Sequence, residues 1–320
     1  MTGKQRVIHA LERKPPITGQ HVPHFELVFY LTMEELGWVH PSHRVYGQWD
    51  QFSESERKLH RSNNADCYIE VAKRYHHDGL FVHPNPGTTE ETIRLLELIR
   101  EKTGDEYYIM MHGDATYSIP NGGDMMEFAA AFVEEPQRMM DRAAKMVDEA
   151  IIAAEAMAKH TDLLDGYALC ADYCFNTNPF WRPSQFADFI TPYLARLCKA
   201  YKEMGFYVIK HTDGNIMPVI DQLVQAAPHA LHSLDPQGGV DLKEVKAKYS
   251  DRVAFMGNVN CGLLQTGTDA EAAADVRRSL QDGMPGGGYI FATSNCVYSG
   301  LDIDRYRMMH RIWREEGIYG

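Results

Sequence analysis

No apolar run in this sequence approaches the roughly 20 residues that a helix needs to cross a bilayer, so no membrane-spanning segment is expected. Positive charge is also in short supply. Lys and Arg number 32 against 44 Asp and Glu, a net charge of −12, and a phosphate backbone is therefore an unlikely-signed partner; no nucleic acid is expected. The G-x-G-x-x-G fingerprint of a dinucleotide fold is missing after the first strand candidate. The run Gly286-Gly287-Gly288 precedes a strand rather than a helix and does not replace it. There is no low-complexity linker, no block of like charge and no C-x-x-C pair. Met1-Thr2-Gly3-Lys4-Gln5-Arg6 leads into an amphipathic segment rather than a signal peptide, so a cytoplasmic protein is expected. Cysteine is sparse, and six thiols in a large intracellular chain read as free thiols or metal ligands rather than a disulfide framework. Cys67 and Cys198 sit in helix patterns and read as core. Cys170, Cys174, Cys261 and Cys296 sit at strand ends.

What is present is alternation. Short apolar strand candidates are separated by longer helix patterns. The strands are expected at Val22–Val28, Gly79–His83, Tyr107–His112, Gly166–Cys170, Phe206–His211, Ala230–Leu234, Val253–Gly257 and Gly288–Thr293. Helix patterns include Glu90–Glu101, Pro136–Lys159, Pro183–Met204, Ile216–Ala226, Ala270–Asp282 and Asp302–Glu316. Strand followed by helix, repeated eight times, is the arithmetic of a (β/α)₈ TIM barrel, here 1–320 as a single domain. Residues 1–20 and 30–75 are expected as helical additions, long enough to cover one end of the barrel.

The strand ends are rich in groups that bind metals or move protons. They carry His24 and Glu26, His83, His112 and Asp114, Cys170, Asp172 and Cys174, His211 and Asp213, Asp235, Asn258 with Cys261, and Ser294-Asn295-Cys296. In a barrel these ends converge on one face, so one site draws on all of them. The most informative stretch is Phe206–Asn215, where an extended run delivers His211 and Asp213 into a glycine turn. Residues i and i+2 of a strand share a side, so His211 and Asp213 can reach one small object; capping of the following helix is the plainer alternative. Imidazole, thiol and carboxylate together suggest zinc, with His211 and Cys296 as the best ligands and Asp213 or Cys261 as the third.

The segments Gly166–Tyr173, Pro192-Tyr193, Gly205–Ile216, Leu234-Asp235-Pro236, Asp241-Leu242-Lys243, Met256–Val259, Leu264 with Gly267-Thr268, and Gly287–Ile290 resemble the uroporphyrinogen decarboxylase superfamily in order and spacing. That resemblance implies a distorted (β/α)₈ barrel. The decarboxylases of the superfamily carry R-Q-A-G-R-Y at the end of the first strand to hold substrate carboxylates. Here the region reads His21-Val22-Pro23-His24-Phe25-Glu26-Leu27, with no arginine and a carboxylate of the wrong sign. The corrinoid-dependent methyltransferases form another branch, with a zinc site written H-x-C plus a distant cysteine. His211 and Cys296 match that pattern, and Asp213 stands where the first cysteine is expected. The resemblance implies a zinc-dependent methyltransferase that moves a methyl group between a small methylated substrate and the corrinoid (cobalamin) of a separate protein. This chain has no D-x-H-x-x-G corrinoid motif of its own. Glu26 is placed to reach metal or substrate, and Asp172 to act as a polar catalyst. Asn258 and the aromatics Tyr117, Phe175, Trp181 and Tyr298, among other aromatics in the same loops, suggest a flat substrate such as a phenyl methyl ether, an O-demethylation. A cofactor-free decarboxylase using Asp172 and His211, and a non-catalytic ligand-binding barrel, are the rival readings. A homodimer is left open.

Overall fold

The computed structural model describes residues 1–320. Seven parallel strands run in chain order: β1 (Gly79–Val82), β2 (Tyr108–His112), β3 (Gly166–Leu169), β4 (Tyr207–Thr212), β5 (Ala230–Ser233), β6 (Ala254–Val259) and β7 (Tyr289–Thr293). They read as nearly continuous apolar runs because both faces are covered. Phe81, Tyr108, Met110, Ala168, Ile209, Ala254, Met256, Ile290 and Ala292 fill the barrel interior. Their alternate neighbours, Ile109, Tyr167, Val208, Phe255 and Phe291 among them, pack outward against the helices.

The expected strand at Val22–Val28 is not a regular strand, and this corrects the sequence reading. Within it only one isolated bridge forms, His24 with Phe291, and others flank it, His21 with Ile318 and Phe29 with Val297. Pro23 has no N–H to give to a ladder. The His24 N–H goes instead to the Asp78 carboxylate at 2.9 Å. The segment nevertheless joins the two edges of the sheet. Phe291 N–H donates to Pro23 O at 2.8 Å and Asp78 N–H to His24 O at 2.7 Å. The barrel is thus closed by an irregular eighth piece, and the fold is an α/β barrel.

Helices Thr89–Thr103, Pro136–Met157, Asp269–Gly283 and Ile303–Glu316 fall where the periodicity puts them. Pro183–Met204 is broken into Pro183–Phe189 and Thr191–Glu203. Pro192 lies just inside the second piece, where its missing N–H is harmless, but it cannot continue the first. Helix Ile220–Gln225 starts later than expected, since residues 213–219 are spent on a turn. Helix Gly3–Leu11 seals the N-terminal end of the barrel. Its Val7, Ala10 and Leu11 complete the interior core, and a Cβ on Gly3 would come within 2.9 Å of Asp78 Cα and Glu106 O. The addition at 30–75 contains the long helix Glu54–Tyr75, capped by Ser53 and Glu56. Its loop around His40 leans over the opposite end, with the His40 ring 5.9 Å from that of His83. No helix is long and apolar enough to cross a membrane.

Candidate metal centre

β4 extends through Thr212, in register with β5, so His211 stands beside His232. Both residues share the parity of the interior side chains Ile209 and Ala230 and point into the mouth. After Thr212 the chain turns at Gly214 with φ +77°. A Cβ there would sit 2.6 Å from the carbonyl oxygens of Cys174 and Phe175, so only glycine fits. Asp235 secures the turn by accepting from Gly214 N–H at 3.3 Å and Gln237 N–H at 2.9 Å. It is a loop staple rather than a ligand.

Asp172, His211 and Asp213 each offer one ligand atom, all within 4.8 Å of one another. His211 Nε2 lies 3.7 Å from Asp172 Oδ1 and 3.8 Å from Asp213 Oδ1. The hydrogen bonds behind His211 fix its proton. His232 Nε2 meets Thr293 O at 3.2 Å. A carbonyl only accepts, so His232 Nε2 carries the hydrogen and its Nδ1 is bare. His211 Nδ1, 2.7 Å from that bare nitrogen, must then donate. His211 Nε2 is left as a lone pair facing two carboxylates.

Asp213 is held in the same way. The Asn295 amide donates to its Oδ2, while Oδ1 is buried with no partner. Burial, then the neighbouring Asp172 charge, push Asp213 up to about 7. Burial lowers the His211 imidazole below its ordinary value and favours the neutral form. With Asp213 ionised, three electron-pair donors converge with no hydrogen between them. This is costly unless a cation sits among them. One imidazole nitrogen and two carboxylate oxygens with a fourth place open suit zinc, whose ligand atoms lie about 3.4 Å apart at ordinary bond lengths. The two distances from His211 Nε2 exceed that by a few tenths of an ångström.

Several candidates lie elsewhere. Cys261 and Cys296 do not join the group that converges on His211. Cys261 is buried beside the Ser294 hydroxyl, and burial raises its thiol to about 12. Cys296 is half-buried and raised to about 11 by burial and then by Asp213, so it is a neighbour of the centre. Glu26 is turned away from the mouth. Phe25 and Leu27 take the inward positions, and Glu26 accepts from Thr293 Oγ1 at 2.6 Å and Tyr306 OH at 3.2 Å beneath the C-terminal helix. Tyr117 and Trp181 are core aromatics packed on Phe132, and the Tyr117 hydroxyl is committed to Met139 O. Asn258 is also structural, donating to Leu234 O at 2.9 Å and accepting from Arg278 at 3.1 Å. Phe175 is 40% exposed on the loop that receives Asn215 N–H, and Tyr298 is half-buried with its hydroxyl on Gln265.

The sequence reading passed over His232 and Lys210. His232 had a usable signal: it lies two residues past Ala230 in a strand, so it faces inward. Lys210 is fully buried, donating to Asp114 at 2.8 Å and Ala171 O at 2.9 Å above the Tyr173 ring. Burial alone would raise Asp114, but Lys210 and Thr116 outweigh it and hold the carboxyl below its ordinary range.

The uroporphyrinogen decarboxylase family model matches residues 95–315, well over half the chain. The chain belongs to that family. A methyltransferase from Methanosarcina mazei shares the fold with a TM-score of 0.73 at 14% identity, covering 98% of this chain and 99% of that one. D-psicose 3-epimerase is a much more distant likeness, with a TM-score of 0.43 at 10% identity over 90% of this chain and 96% of its own. A sequence comparison with curated proteins finds no match.

Proposed function

We propose that this protein is a zinc-dependent methyltransferase that moves a methyl group between a small methylated substrate and the corrinoid of a separate protein. The observation that carries the reading is the convergence of the His211 lone pair with Asp172 and the unpartnered Asp213 oxygen. Those three residues would hold the metal. When bound, zinc supplies Lewis acidity toward the heteroatom that bears the methyl group. His232 orients His211 and fixes its tautomer. Asn295 restrains one Asp213 oxygen and leaves the other free for the metal. The Asp213 N–H donates to Asp172 at 3.2 Å, which keeps the two carboxylates in register.

The Methanosarcina mazei methyltransferase, aligned over nearly the whole of both chains, supports the same class. The cofactor-free decarboxylase is less well supported. The strand ends beside the centre bear no arginine, and Lys210 is spent on Asp114. An anionic substrate with several carboxylates therefore lacks its cations there. The donor we favour remains a phenyl methyl ether. Its support now rests on Phe175 and Tyr298, since Tyr117 and Trp181 belong to the core.

The test combines zinc-loaded protein, reduced corrinoid and candidate donors, followed by the corrinoid absorption spectrum. Methylation from an aryl methyl ether is expected. Transfer from methanol or methylamines alone would keep the enzyme class and change the substrate. No transfer from any donor, with decarboxylation of a porphyrinogen, would overturn the reading.

A further inference from the structure

The mouth contains a second imidazole pair, one strand removed from the first centre. His83 follows β1 and His112 ends β2, and their Nε2 atoms lie 3.0 Å apart. Both rings stand edge-on to Phe81, an interior side chain, at 4.7 and 4.8 Å. The pair therefore lies inside the mouth and not on the outer wall. Adjacent strands are about 4.8 Å apart, so His112 on β2 and His211 on β4 face one chamber across the end of β3.

The proton positions follow from burial. His83 Nδ1 is buried with no partner. Either state of that nitrogen has a cost, and orphaned buried N–H groups are rarer than orphaned acceptors, so the bare nitrogen is the lesser cost. His83 therefore carries its hydrogen on Nε2 and donates it to His112 Nε2. His112 then carries its hydrogen on Nδ1, which no protein group accepts, and the residue is exposed. The groups packed around the pair are His40, with its ring 5.9 Å from His83, and Asp114, whose charge acts on His112. Asp114 is already satisfied by Lys210 and Thr116.

The two pairs have opposite polarity. His232 and His211 end in a lone pair, and His83 and His112 end in an N–H. We propose that His112 is a further catalytic residue, whose Nδ1–H donates a hydrogen bond to the substrate oxygen from which the methyl group leaves, with His83 as its positioning residue. The inference rests on the methyl-transfer reading above and names the donor class within it: methyl ethers or alcohols, whose oxygen departs with the electron pair. The methyl–oxygen bond breaks, the methyl carbon bonds to the reduced cobalt of the corrinoid, and the oxygen keeps the pair. His112 stabilises that charge by hydrogen bonding until solvent supplies a proton. Donors that leave as neutral amines have no such need.

The experiment compares wild type, His112→Ala, His112→Gln and His83→Leu with 2-methoxyphenol and with tetramethylammonium, using free cob(I)alamin as acceptor. For the ether, kcat is expected to fall about 10²- to 10³-fold in His112→Ala, with partial recovery in His112→Gln, which keeps an N–H. The ammonium donor and the zinc content should be unchanged. Equal loss with both donors, loss of zinc, or no loss with the ether would overturn the assignment. The carbon-13 shifts of the His112 ring in wild type give an answer independent of turnover. An Nδ1–H tautomer is expected. An Nε2–H tautomer overturns the assignment even if no donor is turned over, and the latter result alone counts against the methyl-transfer reading and with it the catalytic role.

Discussion

His232→Phe is the substitution that isolates the orientation of the metal ligand. The His232 side chain is buried, and its Nδ1 is the only partner of His211 Nδ1, at 2.7 Å. Phenylalanine keeps a flat ring but is larger by about one ring atom, so some overpacking adds to the cost. Two polar groups are stranded, the His211 N–H and the Thr293 carbonyl. A stranded buried donor costs about 1–3 kcal/mol, which sets the expected loss of stability in the metal-free protein. His211 also becomes free to rotate or to place its hydrogen on Nε2, which removes the lone pair from the centre. Loss of such an outer partner weakens metal binding roughly 10- to 100-fold, equivalent to about 1.4–2.8 kcal/mol. Chelator competition on folded protein measures the affinity and urea unfolding measures the stability. Zinc affinity within twofold of wild type, in a variant with a native circular dichroism spectrum, would refute the proton assignment.

Other outcomes follow from the same geometry. In metal-free protein the folded Asp213 value of about 7 lies above the ordinary 3.8; stability is therefore full below 3.8 and lost as pH rises through 7, and Asp213→Asn should abolish that loss in urea titrations while abolishing zinc binding. Cys261→Ala and Cys296→Ala should each keep near-stoichiometric zinc by elemental analysis, because neither thiol joins the converging group. Burial pulls the folded His24 value down to about 3 from 6.5; its contribution is full above pH 6.5 and falls as pH drops toward 3, so in Asp213→Asn, where the opposing Asp213 contribution is gone, the urea midpoint should decline on acidification. Gly238→Ala would place a Cβ 2.2 Å from the Gly214 carbonyl carbon; the turn carrying Asp213 must shift, and isothermal titration should record weaker zinc binding.

The barrel was legible because its strands are short apolar runs bounded by glycine and polar residues, and because its helices begin at Thr268, Asp302 and similar caps. The closing segment was not, since Val22–Val28 has strand composition and is disqualified by Pro23, which has no N–H, and by the commitment of the His24 N–H to Asp78. At the centre, His211 and Asp213 could be paired from strand parity alone. Asp172 could be seen as a strand-end carboxylate but not as the partner of those two, because its approach depends on the loop after β3. Cys296 ranked with His211 as the best ligands, and Cys261 competed with Asp213 for the third place, all by position in the sequence. The direction of a side chain after a strand has ended is set by loop packing, and no periodicity encodes it. Glu26 sits between the inward-facing Phe25 and Leu27 and is itself turned outward; Asn258 has the parity of the inward Ala254 and Met256, but its amide is held by Leu234 O and Arg278.

Zinc-edge X-ray absorption on purified, zinc-loaded protein tests the centre most directly. The account expects a first coordination shell of nitrogen and oxygen only, at about 2.0–2.2 Å, and its loss in His211→Ala. Sulfur scattering at about 2.3 Å, or a spectrum unaffected by His211→Ala, would contradict it.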